Sequence, residues 1–243
     1  LAVLVLLGGT FYKGRFHEYF LFRFKKFDVG LLKQMSNIAV PLMLQSLAAV
    51  GAWLYLFARI ETVLGPDPLA ISSIFRQLIL FFTIPSWSLG STANTIISNM
   101  VGQNDFSGVP KAIKRISIVS LGFAVLSCVI IYVFPTFCIG IFTSKDALAL
   151  ITEATRIVPV IFVVFILMSF TNIIYNGVIS VGDIYIALAI QVGVVALYIV
   201  YFTIMFKMPF INTFWIWTSE WIYWIGILVS SLLFFRFKHL KVV

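Results

Sequence analysis

Residues 184–206 read IYIALAIQVGVVALYIVYFTIMF and contain no charged side chain. As a helix, this stretch would be about 34 Å long, which is enough to cross the roughly 30 Å hydrocarbon core of a bilayer. Five other apolar segments of sufficient length lie at about 34–58, 69–101, 112–134, 152–179 and 213–235. The chain is therefore predicted to be all-α, a polytopic bundle of membrane helices.

The composition agrees with a lipid environment. Hydrophobic residues make up 61% of the chain and charged residues only 11%, whereas soluble domains carry about 25% charged residues. The net charge is +8, but the basic residues lie between the apolar runs and form no continuous stripe. We therefore expect the lipid bilayer as a partner and no binding of nucleic acid. Cys128 and Cys138 are interpreted as small apolar residues of the bundle.

The two ends of the chain look different from the spans. Leu1–Gly9 is apolar but would rise only about 13 Å as a helix, so it is predicted to be the end of a preceding transmembrane helix. Residues 10–33 carry aromatic residues at helical spacing among basic ones, as in helices that lie in the membrane interface. The predicted organisation is a cytoplasmic amphipathic linker at 10–33, a six-helix lobe at 34–237 and a cytoplasmic tail at 238–243.

Lysine and arginine counts predict the orientation. Alternate connections carry twelve basic residues, whereas the opposite side and its adjoining helix ends carry five. Since basic residues accumulate on the cytoplasmic side, the linker and the C-terminus are predicted to be cytoplasmic in a multi-pass plasma (inner) membrane protein. The five residues assigned to the outer side are Arg59, Arg76, Lys145, Arg156 and Lys207.

The second span carries a recognisable motif. It runs through Pro85 and Gly90 into Val101-Gly102-Gln103, with Lys111-Ala112 following. This passage resembles the "P…G…VGQ…G…A" signature of multidrug and toxic compound extrusion (MATE) transporters, in the MOP flippase superfamily. Three other features are similar to the C-terminal lobe of that family: Ile38-Ala39-Val40-Pro41, Val178-Ile179-Ser180-Val181-Gly182-Asp183 and Trp215-Ile216-Trp217.

The resemblance implies a fold and a mode of action. It implies one six-helix lobe of a twelve-helix transporter, a missing N-terminal six-helix lobe as partner, and alternating access by rocking of the lobes. It also implies no cofactor, with H⁺ or Na⁺ as the coupling ion. Sodium-coupled members of the NorM type carry carboxylates in two helices of this lobe, but the corresponding stretches here, 44–49 and 166–169, contain no acid. Ion coupling through those positions is therefore not expected.

Two oppositely charged residues lie inside predicted spans. Arg76 and Glu220 are each about eight residues from the outer end of a helix, and so about 12 Å deep. Charged groups inside a membrane are costly and suggest function. We predict that they pair and contribute to a substrate or proton site. A purely structural ion pair and separate snorkelling to the headgroups are the alternatives.

Several uncharged polar residues also fall within spans. Asn172, Tyr175 and Asn176 share one helical face in the fourth span. Gln45 and Asn94 lie in the first and second spans, and Gln191 is a single amide in the fifth. Apart from Gln191, these residues are candidates for lining a substrate or ion pathway, the alternative being hydrogen bonds that hold the helices together.

The leading functional prediction is a secondary active efflux transporter that exchanges drugs or other amphipathic organic compounds for a cation. The alternative within the superfamily is a flippase for lipid-linked oligosaccharides or polysaccharides. Such flippases need several deep basic residues, whereas this lobe offers only Arg76. No Walker, GxSxG or HExxH motif is present in the sequence, so an enzyme is not expected, and neither is a metal site. A structural role for a half-bundle is a further alternative.

Overall fold

The computed structural model describes residues 28–143, 148–181 and 184–237. The chain divides into two compact units, Leu1–Ile38 and Ala39–Val243. The predicted helix end at 1–9, the linker up to residue 27 and the tail at 238–243 lie outside the described residues. Of the first unit, residues 28–38 are described, and α1 begins within them at Val29.

The described residues form helices and no strands, which confirms the predicted all-α membrane bundle. Five of the helical spans are long and apolar enough to cross a membrane, and a bent pair of helices brings the number to six. The helices are α1 (Val29–Leu64), α2 (Pro66–Phe82), α3 (Ile84–Gly102), α4 (Val109–Val133), α5 (Pro135–Gly140), α6 (Leu148–Ser180), α7 (Ile184–Met205), α8 (Thr213–Trp217) and α9 (Ser219–Phe237).

The predicted second span is broken at Thr83. Its two parts, α2 and α3, are bent by 47° relative to each other. Pro85 has no backbone N–H to donate to the carbonyl of Phe81, and its ring crowds that carbonyl. The Thr83 hydroxyl donates to the carbonyl of Ile79, which satisfies one acceptor near the break. Pro41 and Pro159, in contrast, lie inside continuous helices.

Helix α6 is the centre of the bundle. In its apolar 18-residue window, 61% of the residues are buried, against 22–33% for the other four spans outside the bent pair. It packs against α2, α3, α4 and α9. Phe165 and Ile161 are enclosed in a cluster with residues of α2 and α4, whereas Ile173 and Val178 pack with α3. The opposite faces of the outer helices carry large exposed apolar side chains, as expected where helices meet lipid.

The last span is interrupted near its start. Asn212 caps α8 by accepting a hydrogen bond from the backbone N–H of Trp215 (3.2 Å). The short helix α8 ends at Trp217, and α9 begins at Ser219 after a single turn residue. Glu220 consequently lies in the first turn of a helix, where the macrodipole favours a negative charge.

Candidate functional site

A cavity of about 300 Å³ lies between α1, α3, α6, α7 and α9. Five of the seven residues that the sequence nominates for a pathway contribute to its wall: Gln45, Asn94, Asn172, Tyr175 and Asn176. The wall also holds Ser46, Ala49, Trp87, Ser91, Ile179, Gln191, Tyr223, Trp224 and Ile227. The structure thus brings together, on five helices, polar residues that are far apart in the sequence.

The asparagines of α6 are held in place by the bend of the neighbouring span. The Asn172 side-chain amide donates to the carbonyl of Ser86 (2.8 Å), near the start of α3. Asn176 donates to both the backbone carbonyl (2.8 Å) and the side-chain oxygen (3.1 Å) of Asn172. One turn further along α6, the Ser180 hydroxyl lies 3.0 Å from Oδ1 of Asn94. The polar face of α6 is therefore joined to α3 at two levels.

Gly90 makes this close approach possible. A Cβ atom at this position would lie 2.5 Å from Nδ2 of Asn172 and 2.9 Å from Nδ2 of Asn176. These separations are well below van der Waals contact. The glycine of the sequence motif is thus required for packing of α3 against the two asparagines.

The other side of the cavity is formed by α1, α7 and α9. The Tyr175 hydroxyl lies 2.9 Å from Oε1 of Gln45 and 2.9 Å from the carbonyl of Ala187. Gln191 donates to the hydroxyl of Tyr223 (2.8 Å). Sequence reasoning missed Tyr223 and Trp224, because aromatic residues are common in every span of this chain.

Glu220 lies outside the cavity wall in a separate buried site. Only 2% of its surface is exposed. Its Oε1 atom accepts hydrogen bonds from the indole N–H of Trp53 (3.0 Å) and from the hydroxyl of Tyr198 (3.0 Å). The carboxyl group therefore ties α1, α7 and α9 together.

The predicted ion pair between Arg76 and Glu220 is wrong. In the described residues, Arg76 and Glu220 have no charged atoms within 4.0 Å of each other. The ion pair that meets this limit is Glu153–Arg156, on the surface. The Arg76 guanidinium instead lies 5.6 Å from the ring centroid of Trp53 and 5.6 Å from that of Phe57. Both charged residues contact Trp53, one through its ring and the other through its N–H. The two side chains that the sequence predicts to pair thus contact the same indole from different sides.

Replacing Trp53 with phenylalanine is expected to destabilise the protein by about 1.5–3 kcal/mol, the usual contribution of a hydrogen bond to a charged group. The substitution removes the N–H that binds Glu220 and keeps an aromatic ring beside Arg76. Thermal unfolding of the purified protein measures the effect. Trp215→Phe is a matched control, since Trp215 is 43% exposed and its indole makes no hydrogen bond to an acid in the described part of the chain. Equal melting of the two variants would contradict the assigned role of the Trp53 N–H.

The described residues contain no group of three or more His, Cys, Asp and Glu side chains that could hold a metal ion. The described cavity wall likewise contains no charged side chain. Its chemistry consists of carboxamides, hydroxyls and aromatic rings. A wall of this kind can offer hydrogen bonds and ring faces to an organic molecule in a bundle that is otherwise apolar.

These features define a membrane helix bundle with a partly open cavity that carries amides and hydroxyls on a largely apolar and aromatic wall, and comparison with known proteins identifies its family. The family model described as MatE matches residues 41–204. The chain belongs to the MatE family, whose members are transporters. No curated protein matches the chain.

Solved structures share the fold at low sequence identity. A MATE crystal structure in complex with MaL6 matches with a TM-score of 0.76 and 14% identity, covering 89% of this chain and 48% of its own. An outward-facing multidrug resistance MATE transporter of the MOP superfamily matches with a TM-score of 0.76 and 13% identity. The match covers 91% of this chain and 49% of the transporter chain. A MOP superfamily transporter from Pyrococcus furiosus Vc1 matches with a TM-score of 0.74 and 13% identity, covering 89% and 48%. The chain thus spans about half the length of the solved structures it matches.

Proposed function

We propose that the full-length protein is a secondary active exporter of drugs or other amphipathic organic compounds, driven by inward flow of a cation. The observation that carries this proposal is the cavity of about 300 Å³, walled by amides, hydroxyls and aromatic rings inside an apolar bundle. Such a wall suits organic molecules of mixed character, because ring faces contact apolar parts and amides bond to polar ones.

The candidate pathway residues fall into two groups under this proposal. Gln45, Asn94, Asn172, Tyr175 and Asn176 form the substrate-facing wall. Glu220, supported by Trp53 and with Arg76 beside the same indole, forms the ion-responsive part. A second lobe would complete the passage and allow alternating access.

Export of lipid-linked oligosaccharide is the second candidate. A pyrophosphate linkage calls for several cationic groups in the passage. In the described residues, however, the cavity wall has none, and Arg76 is packed against Trp53 and Phe57. The Pyrococcus relative in fold has a binding pocket of reverse polarity that suggests a different function. The uncharged wall seen here favours drug export over pyrophosphate handling.

Ethidium efflux from cells expressing the full-length protein tests the proposal. We expect efflux with the wild type and a roughly ten-fold lower rate with Asn94→Leu, because a lost amide contact of about 1.4 kcal/mol has that effect. Asn99→Leu, on the same helix but outside the cavity wall, is the matched control and should stay within about two-fold. Absence of efflux of any tested cation by a normally inserted protein would count against the proposal. Flipping of a lipid-linked pyrophosphate by that protein would support the alternative.

A further inference from the structure

The surroundings of Glu220 indicate which ion this carboxyl group can bind. Its Oε1 atom accepts from an indole N–H and a phenol O–H, each at 3.0 Å. The indole of Trp224, one helical turn further along α9, lies beside the same carboxyl group. An indole N–H is a donor without a lone pair, and the Tyr198 hydroxyl turns its hydrogen towards the carboxyl. The immediate neighbours therefore present hydrogens to Glu220.

A metal cation needs the opposite arrangement. Hard cations are surrounded by several oxygen ligands from carboxylates, carbonyls and water. In the described part of the chain, no second acid joins Glu220 in a group that could hold a metal ion. A proton, in contrast, needs only one oxygen atom of the carboxyl group itself. Both donors to this carboxyl contact Oε1, so protonation at Oε2 leaves their hydrogen bonds intact.

No cationic side chain in the described residues pairs with Glu220. The groups that face it are Trp53 from α1, Tyr198 from α7, and Tyr223 and Trp224 from α9. Arg76 from α2 lies on the ring of Trp53 and makes no ion pair with the acid. An unpaired carboxylate buried in a low-dielectric environment is costly, and uptake of a proton removes that cost.

We infer that Glu220 is a proton-binding site of this lobe, and that the ion exchanged there is H⁺ and not Na⁺. The inference rests on the proposed function for its role in export, since it names the coupling ion of that activity. Glu220 also lies next to the cavity wall. Tyr223 and Trp224 follow it by three and four residues on α9 and line the cavity, and the ring of Tyr223 contacts that of Tyr198 at 5.8 Å.

Infrared difference spectroscopy on the purified full-length protein tests this inference without any transported substrate. A pH titration should show the C=O stretch of a protonated carboxyl group that is present in the wild type and missing in Glu220→Gln. Exchanging Na⁺ for N-methylglucamine at constant pH should leave the band unchanged. Glu153→Gln, at an exposed acid paired with Arg156, is the matched control and should retain the band. In parallel, binding of radioactive ²²Na⁺ should be equal in wild type and Glu220→Gln.

Two results would overturn the inference. One is a pH difference spectrum of the wild type identical to that of Glu220→Gln over the whole titration, which means that Glu220 neither takes up nor releases a proton. The other is Na⁺ that abolishes the band in the wild type, together with loss of ²²Na⁺ binding in Glu220→Gln, which means that the site binds sodium. Because neither measurement requires export, failed ethidium efflux with an intact Glu220 band would count against the exporter alone.

Discussion

Replacing Gly90 with alanine is expected to reduce ethidium efflux by roughly ten-fold or more and to destabilise the protein by about 1–3 kcal/mol, the usual range for overpacking. The added Cβ would lie 2.5 Å from Nδ2 of Asn172, which must then move. Movement of that amide breaks its hydrogen bond to the carbonyl of Ser86. It also displaces Asn176, since the two asparagines are hydrogen-bonded to each other. One methyl group therefore disturbs the polar wall of the cavity at two residues.

Gly122→Ala provides the matched control for this change. Gly122 lies within helix α4, and a Cβ atom there would meet nothing within 4 Å. Alanine is favoured over glycine in helix interiors by about 1 kcal/mol, so this variant should melt at the same temperature or slightly higher. Thermal unfolding and efflux are measured on both variants. Normal efflux by Gly90→Ala would show that the spacing between α3 and α6 is not needed for transport.

Replacing Glu220 with leucine is expected to cost about 2–5 kcal/mol of stability. The change removes the acceptor of two hydrogen bonds and leaves the half-buried Trp53 N–H and the buried Tyr198 O–H without it. Each such orphaned donor costs about 1–3 kcal/mol. Tyr198 is only 1% exposed, so its hydroxyl has no access to bulk water. The loss should be visible as a lower melting temperature of the purified full-length protein.

Glu220→Gln separates this structural role from ion binding. The glutamine oxygen can accept the same two hydrogen bonds, so this variant should lose less than about 1.5 kcal/mol while losing the capacity to bind a proton. The expected order of melting temperature is wild type, then Glu220→Gln, then Glu220→Leu. If Glu220→Leu has the same melting temperature as the wild type, the two hydrogen bonds do not stabilise the bundle.

Much of the fold could be predicted because the length of each apolar segment can be counted directly in the sequence. A stretch such as 184–206 has to cross the bilayer wherever its neighbours lie. The broken span was harder, although Pro85 provides the signal, because proline also occurs within continuous helices, as Pro41 does here. The interruption at Thr218 has no proline or glycine to mark it. Glu220 was therefore expected in the interior of a continuous helix, whereas it lies in the first turn of α9.

The sequence could predict which site residues share a face of one helix, but not which residues of different helices come into contact. The spacing of Asn172, Tyr175 and Asn176 fixes their shared face, and the structure places that face on the cavity. Helix length from the sequence also predicts a similar depth for Arg76 and Glu220, and both side chains contact Trp53 in the structure. Lateral position and rotation of each helix depend on packing, so the sequence could not show that an indole would lie between the two charges.

The 47° bend at Thr83 makes α3 a lever pivoted at one end. Asn94 lies eleven residues beyond the pivot, which is about 16 Å along the helix. A rotation of only about 2° at Thr83 therefore displaces Asn94 by about 0.6 Å, and the far end of α3 at Gly102 by about 1 Å. Since Asn94 belongs to the cavity wall and accepts a hydrogen bond from Ser180 of α6, a change in this one joint angle would alter the width of the cavity only by straining or breaking that hydrogen bond.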